Sequence, residues 1–108
     1  MAQSFHYAAE KMAAAVYPLG ASTGSLQDRL HGAFMSFHTL DEDDFPEGSV
    51  REAWPSIEAR MTERQAPQGY LEGDAKFTLD QISDVDAHQL ATDVIDLCFG
   101  IHREWLQT

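Results

Sequence analysis

The chain has 108 residues, 44% of them hydrophobic, and it carries 18 acidic against 7 basic side chains, for a formal net charge of -11 with its five histidines neutral. This length and apolar content predict one folded domain over residues 1–108 and exclude global disorder. No apolar run approaches the roughly 20 residues of a membrane span. The acid excess disfavours direct binding to nucleic acid or to anionic lipid, because both are negatively charged.

The compartment is predicted from the N-terminus and from cysteine usage. The first residues lack a basic stretch followed by an apolar one, so a secretory signal is not expected. Cys98 is the only cysteine and excludes an internal disulfide, a staple that is typical of small secreted domains. We therefore expect a cytoplasmic protein that makes no use of a membrane.

The first predicted helix covers about Ser4 to Tyr17. Apolar side chains recur there at spacings of three and four residues, which is the pattern of a helix with one buried face. The segment is also rich in alanine, the strongest helix former. Pro18 and Gly20 are expected to end this helix.

The second predicted helix runs from about Leu26 to Leu40. Ser25 and Asp28 form an S-x-x-D capping box at its start. The acidic residues after Leu40 would be unfavourable at the negative end of the helix dipole, so we expect the helix to stop there.

The third predicted helix lies within residues 45–64, and its start has two interpretations. The acids around the proline at 44–47 indicate one N-terminus, and the S-x-x-E sequence at 49–52 indicates another. Pro55 removes one backbone donor inside the helix, so a kink or break is expected over residues 51–54.

Residues 65–82 have a different pattern. Ala75, Phe77 and Leu79 alternate with polar residues, which is a short strand-like arrangement. Because one strand has no partner in a helical domain, we predict an extended segment that packs Tyr70, Phe77 and Leu79 over the helices. Long irregular connections of this kind are often functional.

The fourth predicted helix, from about Asp84 to Trp105, is the longest, and Ser83 with Asp86 forms a capping box before it. Four such segments with short loops predict an all-α fold, a small antiparallel bundle of about four helices with the extended segment between helices three and four. The main buried stripe of the last helix comprises Leu90, Val94, Leu97, Ile101 and Trp105, with Cys98 at its edge.

Catalytic, cofactor and metal sites find little support in the sequence. His31 and His38 share a helix face but lie about 10.5 Å apart along the axis, too far for one metal ion. Asp84 and His88 have ligand spacing but no third ligand. Cys98 is expected to be a core thiol. We therefore expect a protein that is not an enzyme and that holds no cofactor or metal.

The excess charge comes from two places. Segments 41–47 and 72–96 contain 12 acids and one base, whereas the remaining acids and bases balance. The simplest interpretation is a solvated acidic surface that keeps the protein soluble. The alternative is a surface that attracts a basic partner. The candidate partner-binding acids are Asp41, Glu42, Asp43, Asp44, Glu47, Asp86, Asp93 and Asp96.

A small, rigid, acidic helical domain can present carboxylates in the way that a nucleic acid presents phosphates. In size and charge the chain resembles phage-borne inhibitors such as anti-CRISPR and anti-restriction proteins. This resemblance implies a binding protein that inhibits or regulates a nucleic-acid-handling partner through that partner's basic surface. Rows of acids are required for such mimicry, because duplex DNA carries about one charge per 1.7 Å of axis.

A second stripe on the last helix supports a different hypothesis. These residues lie roughly 120 to 180° round from the main stripe. Either they are buried because the helix is central, or they form a docking surface of an adaptor or structural subunit, in which case the chain pairs with a partner or with a second copy. Monomer and homodimer both stay open. The residues concerned are Ile95, Phe99, His102 and Leu106.

Overall fold

A computed structural model describes the backbone of residues 2–71 and 73–107 and the side chains of residues 6–71 and 73–103. Within these ranges the chain is all-helical, as predicted, and forms no strand. No helix in the described ranges is long and apolar enough to cross a membrane. The elements in chain order are α1 (Ala2–Ala21), α2 (Leu26–Phe37), a short 3₁₀ turn (Glu42–Asp44), α3 (Ser49–Met61), α4 (Gly73–Gln81) and α5 (Asp84–Gln107).

One hydrophobic core joins the helices. α1 packs along α2 and α5, and α3 packs along α5. Small side chains on α1 allow this close approach, since Ala8 and Ala15 are fully buried beside Met12. The main stripe predicted for the last helix faces this core, and its fifth member, Trp105, has a side chain outside the described residues. The buried stripe of α5 is Leu90, Val94, Leu97 and Ile101, with Cys98 beside it.

Trp54 forms the aromatic centre of the fold and is only 2% exposed. Its ring centroid lies 5.2 Å from that of Phe37, which meets it edge-on at 83°. It also lies 5.2 Å from that of Phe45, tilted by 30°. Aromatic pairs of this kind contribute about 0.5–1.5 kcal/mol beyond their buried area. The cluster therefore fixes α3 and the end of the 3₁₀ turn against α2.

The prediction of an extended segment over residues 65–82 is wrong, because residues 73–81 form α4, which gives five α-helices in the described part of the chain. The buried residues of α4 are Ala75, Thr78 and Leu79. Thr78 and Leu79 follow Ala75 by three and four positions, so all three lie on one face of the helix. The strand-like alternation predicted that Phe77 is buried and that the polar Thr78 is not. In the structure Phe77 is half-buried and Thr78 is buried. The Thr78 hydroxyl is satisfied in the interior: it accepts from the Arg64 backbone N–H at 2.9 Å and donates to the Arg64 carbonyl at 3.2 Å.

Two effects expected of prolines, the end of the first helix at Pro18 and a break in the third helix before Pro55, are not observed. α1 continues past Pro18 to Ala21, and α3 runs unbroken through Pro55. An interior proline removes one helical hydrogen bond, and burial of the helix faces outweighs that loss. At the end of α1, Leu19 is buried and its carbonyl accepts from the Arg29 guanidinium at 2.8 Å.

The ends of the middle helices differ in detail from the sequence predictions. α2 stops at Phe37, with His38 as its C-cap, although Leu40 is buried just beyond it. α3 begins at Ser49, close to the second of the two predicted starts, but its N-cap is Gly48 and no side chain caps it. Gly48 has a φ of 116°, a conformation that favours glycine. The acids before it belong to the 3₁₀ turn.

We predict that Thr78→Val lowers the free energy of unfolding by about 1–2 kcal/mol, because it leaves both Arg64 backbone groups without their partner. Urea denaturation measures the change. Thr92→Val is the matched control, since the Thr92 hydroxyl is exposed and bonds only the His88 carbonyl within its own helix. Equal stability losses in the two variants would contradict a structural role for the buried hydroxyl.

Candidate partner-binding surface

The first acidic segment is held in a defined shape by its neighbours. The Asp44 carboxylate accepts from the Asp41 backbone N–H at 2.9 Å, which closes the 3₁₀ turn. Phe45 is fully buried, and its carbonyl accepts two hydrogen bonds from the Arg51 guanidinium, at 3.0 and 2.8 Å. Arg51 also lies 3.9 Å from Glu47. Phe45 and Arg51 thereby fix the turn against the rest of the protein. The other acids of the turn, Asp41, Glu42 and Asp43, are exposed to solvent.

The second acidic group lies on one side of α5. At 100° per residue Asp86, Asp93 and Asp96 fall within about 80° of arc. Their spacing along the helix axis is about 10.5 Å and then about 4.5 Å. Asp86 and Asp96 are exposed, whereas Asp93 is partly buried. The structure therefore groups these three predicted residues on one helix face.

Asp93 has partners that sequence reasoning did not assign. Its carboxylate lies 2.8 Å from the Arg60 guanidinium of α3 and also accepts from the Gln89 amide at 3.1 Å. Arg60 and Arg103 line the same groove as Asp93 and Asp96. Both arginines were counted in the charge-balanced remainder of the chain, and no local sequence pattern indicates that they lie among the acids. The middle of the acidic row is thus neutralised by a cross-helix ion pair.

Both acidic groups lie beside α3, which contacts the 3₁₀ turn and α5. α3 and α5 are antiparallel: Arg60 meets Asp93, and Val50 lies so close to Gly100 that an added Cβ there would be 3.2 Å from the valine methyl. The N-terminus of α3, which follows the 3₁₀ turn, therefore lies at the Asp96 end of the row. The carboxylates follow the order Asp86, Asp93, Asp96 and then the 41–47 segment.

The residues of the second stripe on the last helix differ in their exposure to solvent. Phe99 is 64% exposed, whereas Ile95 is half-buried against the core. His102 is also half-buried, with Nδ1 2.9 Å from the Cys98 carbonyl oxygen. The side chain of Leu106 lies outside the described residues. Phe99 is therefore the one described member of this stripe that presents a large apolar area to solvent.

The histidine and cysteine side chains form no grouped site. Among the described residues no three His, Cys, Asp or Glu side chains come together around a common point. His6 pairs with Glu10 at 3.1 Å on the exposed face of α1. Cys98 is buried, and its Sγ lies 3.8 Å from Nδ1 of His102. Burial raises the pKa of the Cys98 thiol, which makes it a poor nucleophile at neutral pH.

We predict that the folded protein reacts slowly with a thiol reagent such as 5,5′-dithiobis(2-nitrobenzoic acid). Because the pKa of Cys98 is raised by burial, the thiolate fraction stays small up to and beyond the usual thiol pKa of about 8.5. Reaction rates measured from pH 7 to 9 should therefore be well below those of the urea-unfolded chain. Equal rates in the folded and unfolded states would contradict a buried, protonated thiol.

Comparison of the chain with family models, with characterised proteins and with solved structures finds no match. What this surface binds therefore has to follow from its own chemistry. That chemistry consists of a fixed acidic turn, an acidic row on α5, two arginines set among the acids and one exposed phenylalanine.

Proposed function

We propose that this chain is a non-catalytic binding protein that inhibits or regulates a basic, nucleic-acid-handling protein by occupying its positively charged surface. One observation carries the proposal. The candidate acids stand on two ordered elements, the 3₁₀ turn and α5, that both contact α3, and Asp41, Glu42, Asp43, Asp86 and Asp96 among them are exposed. A preorganised charged surface binds with less loss of conformational entropy than a flexible one.

Electrostatics support this partner class. A surface with acids on neighbouring elements steers a basic protein towards it and repels nucleic acid and acidic proteins. Within the described part of the chain, Glu42, Asp43, Asp86 and Asp96 form no ion pair. Their charges therefore remain available to a partner.

The charge density of the α5 row is lower than that of duplex DNA, so the row imitates a nucleic acid only in part. Asp86 to Asp96 spans about 15 Å of helix axis and contains three acids, whereas duplex DNA carries about nine charges over that length. The α5 row thus matches a small part of a basic groove, and the 41–47 segment extends it. In size and charge such a protein is similar to phage-borne anti-CRISPR and anti-restriction inhibitors, so nucleases of those systems are the first partners to test.

We predict that Glu42→Gln, Asp43→Asn and Asp96→Asn together weaken the partner complex and flatten its salt dependence. These exposed carboxylates add little to folding, since surface charges contribute at most about 1 kcal/mol per pair. Binding is measured by capture of the partner from a native lysate between about 50 and 200 mM salt, with release by short duplex DNA as the test of a shared site.

The matched control neutralises three acids elsewhere, Glu10→Gln, Glu58→Gln and Asp80→Asn, and so changes the net charge equally. This control should bind like the parent. If the first variant folds and binds as tightly as the control, and duplex DNA releases nothing, the acidic surface serves only solubility and the proposal fails.

The exposure of Phe99 supports a second candidate function, that of an adaptor or self-associating subunit. An apolar side chain that is 64% exposed can meet its own copy across a two-fold axis. We predict in that case that Phe99→Glu converts a dimer into a folded monomer, which sedimentation or light scattering would detect. Because Phe99 is not in the core, a parent that is already monomeric at high concentration would remove this candidate.

A further inference from the structure

A cavity of about 300 Å³ lies between α3 and the C-terminal part of α5. The ion pair between Arg60 and Asp93 bridges the two helices at one end of the cavity, and Arg103 lines the other end. This volume is at the lower limit for small-molecule sites. An occupant is therefore a small molecule that lies between the ion pair and Arg103.

The charges that line this cavity sum to zero, unlike those of the whole chain. The lining contains two arginines and two aspartates, whereas the formal net charge of the chain is -11. Arg60 and Asp93 neutralise each other at 2.8 Å. Asp96 and Arg103 are exposed and form no ion pair among residues 6–71 and 73–103. The cavity therefore presents one unpaired anion and one unpaired cation.

These two unpaired charges lie on one face of α5, separated along the helix. Asp96 and Arg103 are two turns apart, so their backbone positions differ by about 10.5 Å along the axis. The Arg103 guanidinium folds back towards Asp96, because its Nη2 atom lies 4.0 Å from the point that a Cβ on Gly100 would occupy. Gly100 is about 6 Å along the axis from Asp96. A ligand that reaches both charges therefore needs charged ends about 6–7 Å apart.

Between the two charges the cavity offers small groups for contact. The Ala53 methyl group is half-buried on the α3 side, and the exposed Ser49 and Ser56 lie on either side of it along α3. The floor is closed by almost fully buried side chains, those of Val50, Ile57 and Leu97. A thin, unbranched aliphatic chain suits this surface, because there is no deep apolar recess for a branched or aromatic group.

We propose that the cavity between α3 and α5 binds a small zwitterion, an unbranched ω-amino acid whose carboxylate pairs with Arg103 and whose ammonium group pairs with Asp96. Each bond of an extended chain adds about 1.2 Å, so charges about 6–7 Å apart are joined by about five or six bonds. The free compounds 5-aminopentanoate and 6-aminohexanoate have this separation, and so does a lysine at the C-terminus of a chain. The inference goes beyond the proposed function and does not depend on it.

The test is an NMR titration of the ¹⁵N-labelled protein with 6-aminohexanoate. We expect saturable shifts of the Ala53, Ser56 and Gly100 amides and a dissociation constant on the order of 1 mM, because ion pairs to exposed groups are weak. Hexanoate and hexylamine keep the chain but lose one charge each, and both should bind at least about threefold more weakly. Nα-acetyl-lysine represents a chain that ends in lysine. Its binding more tightly than 6-aminohexanoate would assign the site to a protein C-terminus, and its binding more weakly to a free amino acid.

Two pairs of matched variants test the two charged residues. Arg103→Gln and Asp96→Asn should each weaken binding of 6-aminohexanoate about threefold. Arg64→Gln and Asp43→Asn make the same changes of charge outside the cavity and should leave binding unchanged. All four positions are exposed, and circular dichroism verifies that each variant folds.

The outcomes distinguish this inference from the proposed function. The zwitterion site is overturned if 6-aminohexanoate gives no saturable shifts up to about 20 mM, or if hexanoate or hexylamine binds as tightly. It is also overturned if Arg103→Gln and Asp96→Asn bind like their controls. The acidic-surface function survives each of those results. Conversely, the site stands and the proposed function fails if 6-aminohexanoate binds as expected while the captured partner is indifferent to the triple acid variant.

Discussion

Trp54 contacts both Phe37 and Phe45, and these contacts place the candidate acidic surface. The edge of Phe37 fixes the α3 helix against α2, while the tilted ring of Phe45 fixes the end of the 3₁₀ turn against α3. α3 also packs along α5. The positions of the acidic turn and of α3 therefore depend on one aromatic cluster that contains no charged group.

The surface combines net repulsion with local pairing. The formal net charge of -11 opposes compaction through self-repulsion. The fold reduces this repulsion by placing its few cations beside acids. Lys76 lies 2.6 Å from Asp80 and 3.7 Å from Asp28, and Arg60 lies 2.8 Å from Asp93. These half-exposed pairs contribute little stability each. Their effect is to lower the repulsion locally, within α4 and α2 and in the middle of the α5 row.

The all-α class, the long last helix and most buried stripes could be predicted because they depend on local periodicity and capping. Ser25 and Ser83 do cap α2 and α5, by accepting from the backbone N–H groups of Asp28 and Asp86. α4 was missed because its buried face includes the polar Thr78, whose hydroxyl is satisfied by Arg64, fourteen positions earlier. The acids of the candidate surface could be named from the sequence, but the arginine beside Asp93 could not, because that pairing exists only once α3 lies against α5.

In and next to the 3₁₀ turn, the residues that hold the fold are different from the residues that face solvent. Phe45 and Arg51 hold the turn from the inside, while Glu42 and Asp43 project into solvent and support no other described side chain. Substitutions at these outward positions are therefore expected to have little effect on folding. Such a turn can change its charge pattern over evolutionary time while the scaffold stays constant, which suits a binding protein whose target itself evolves.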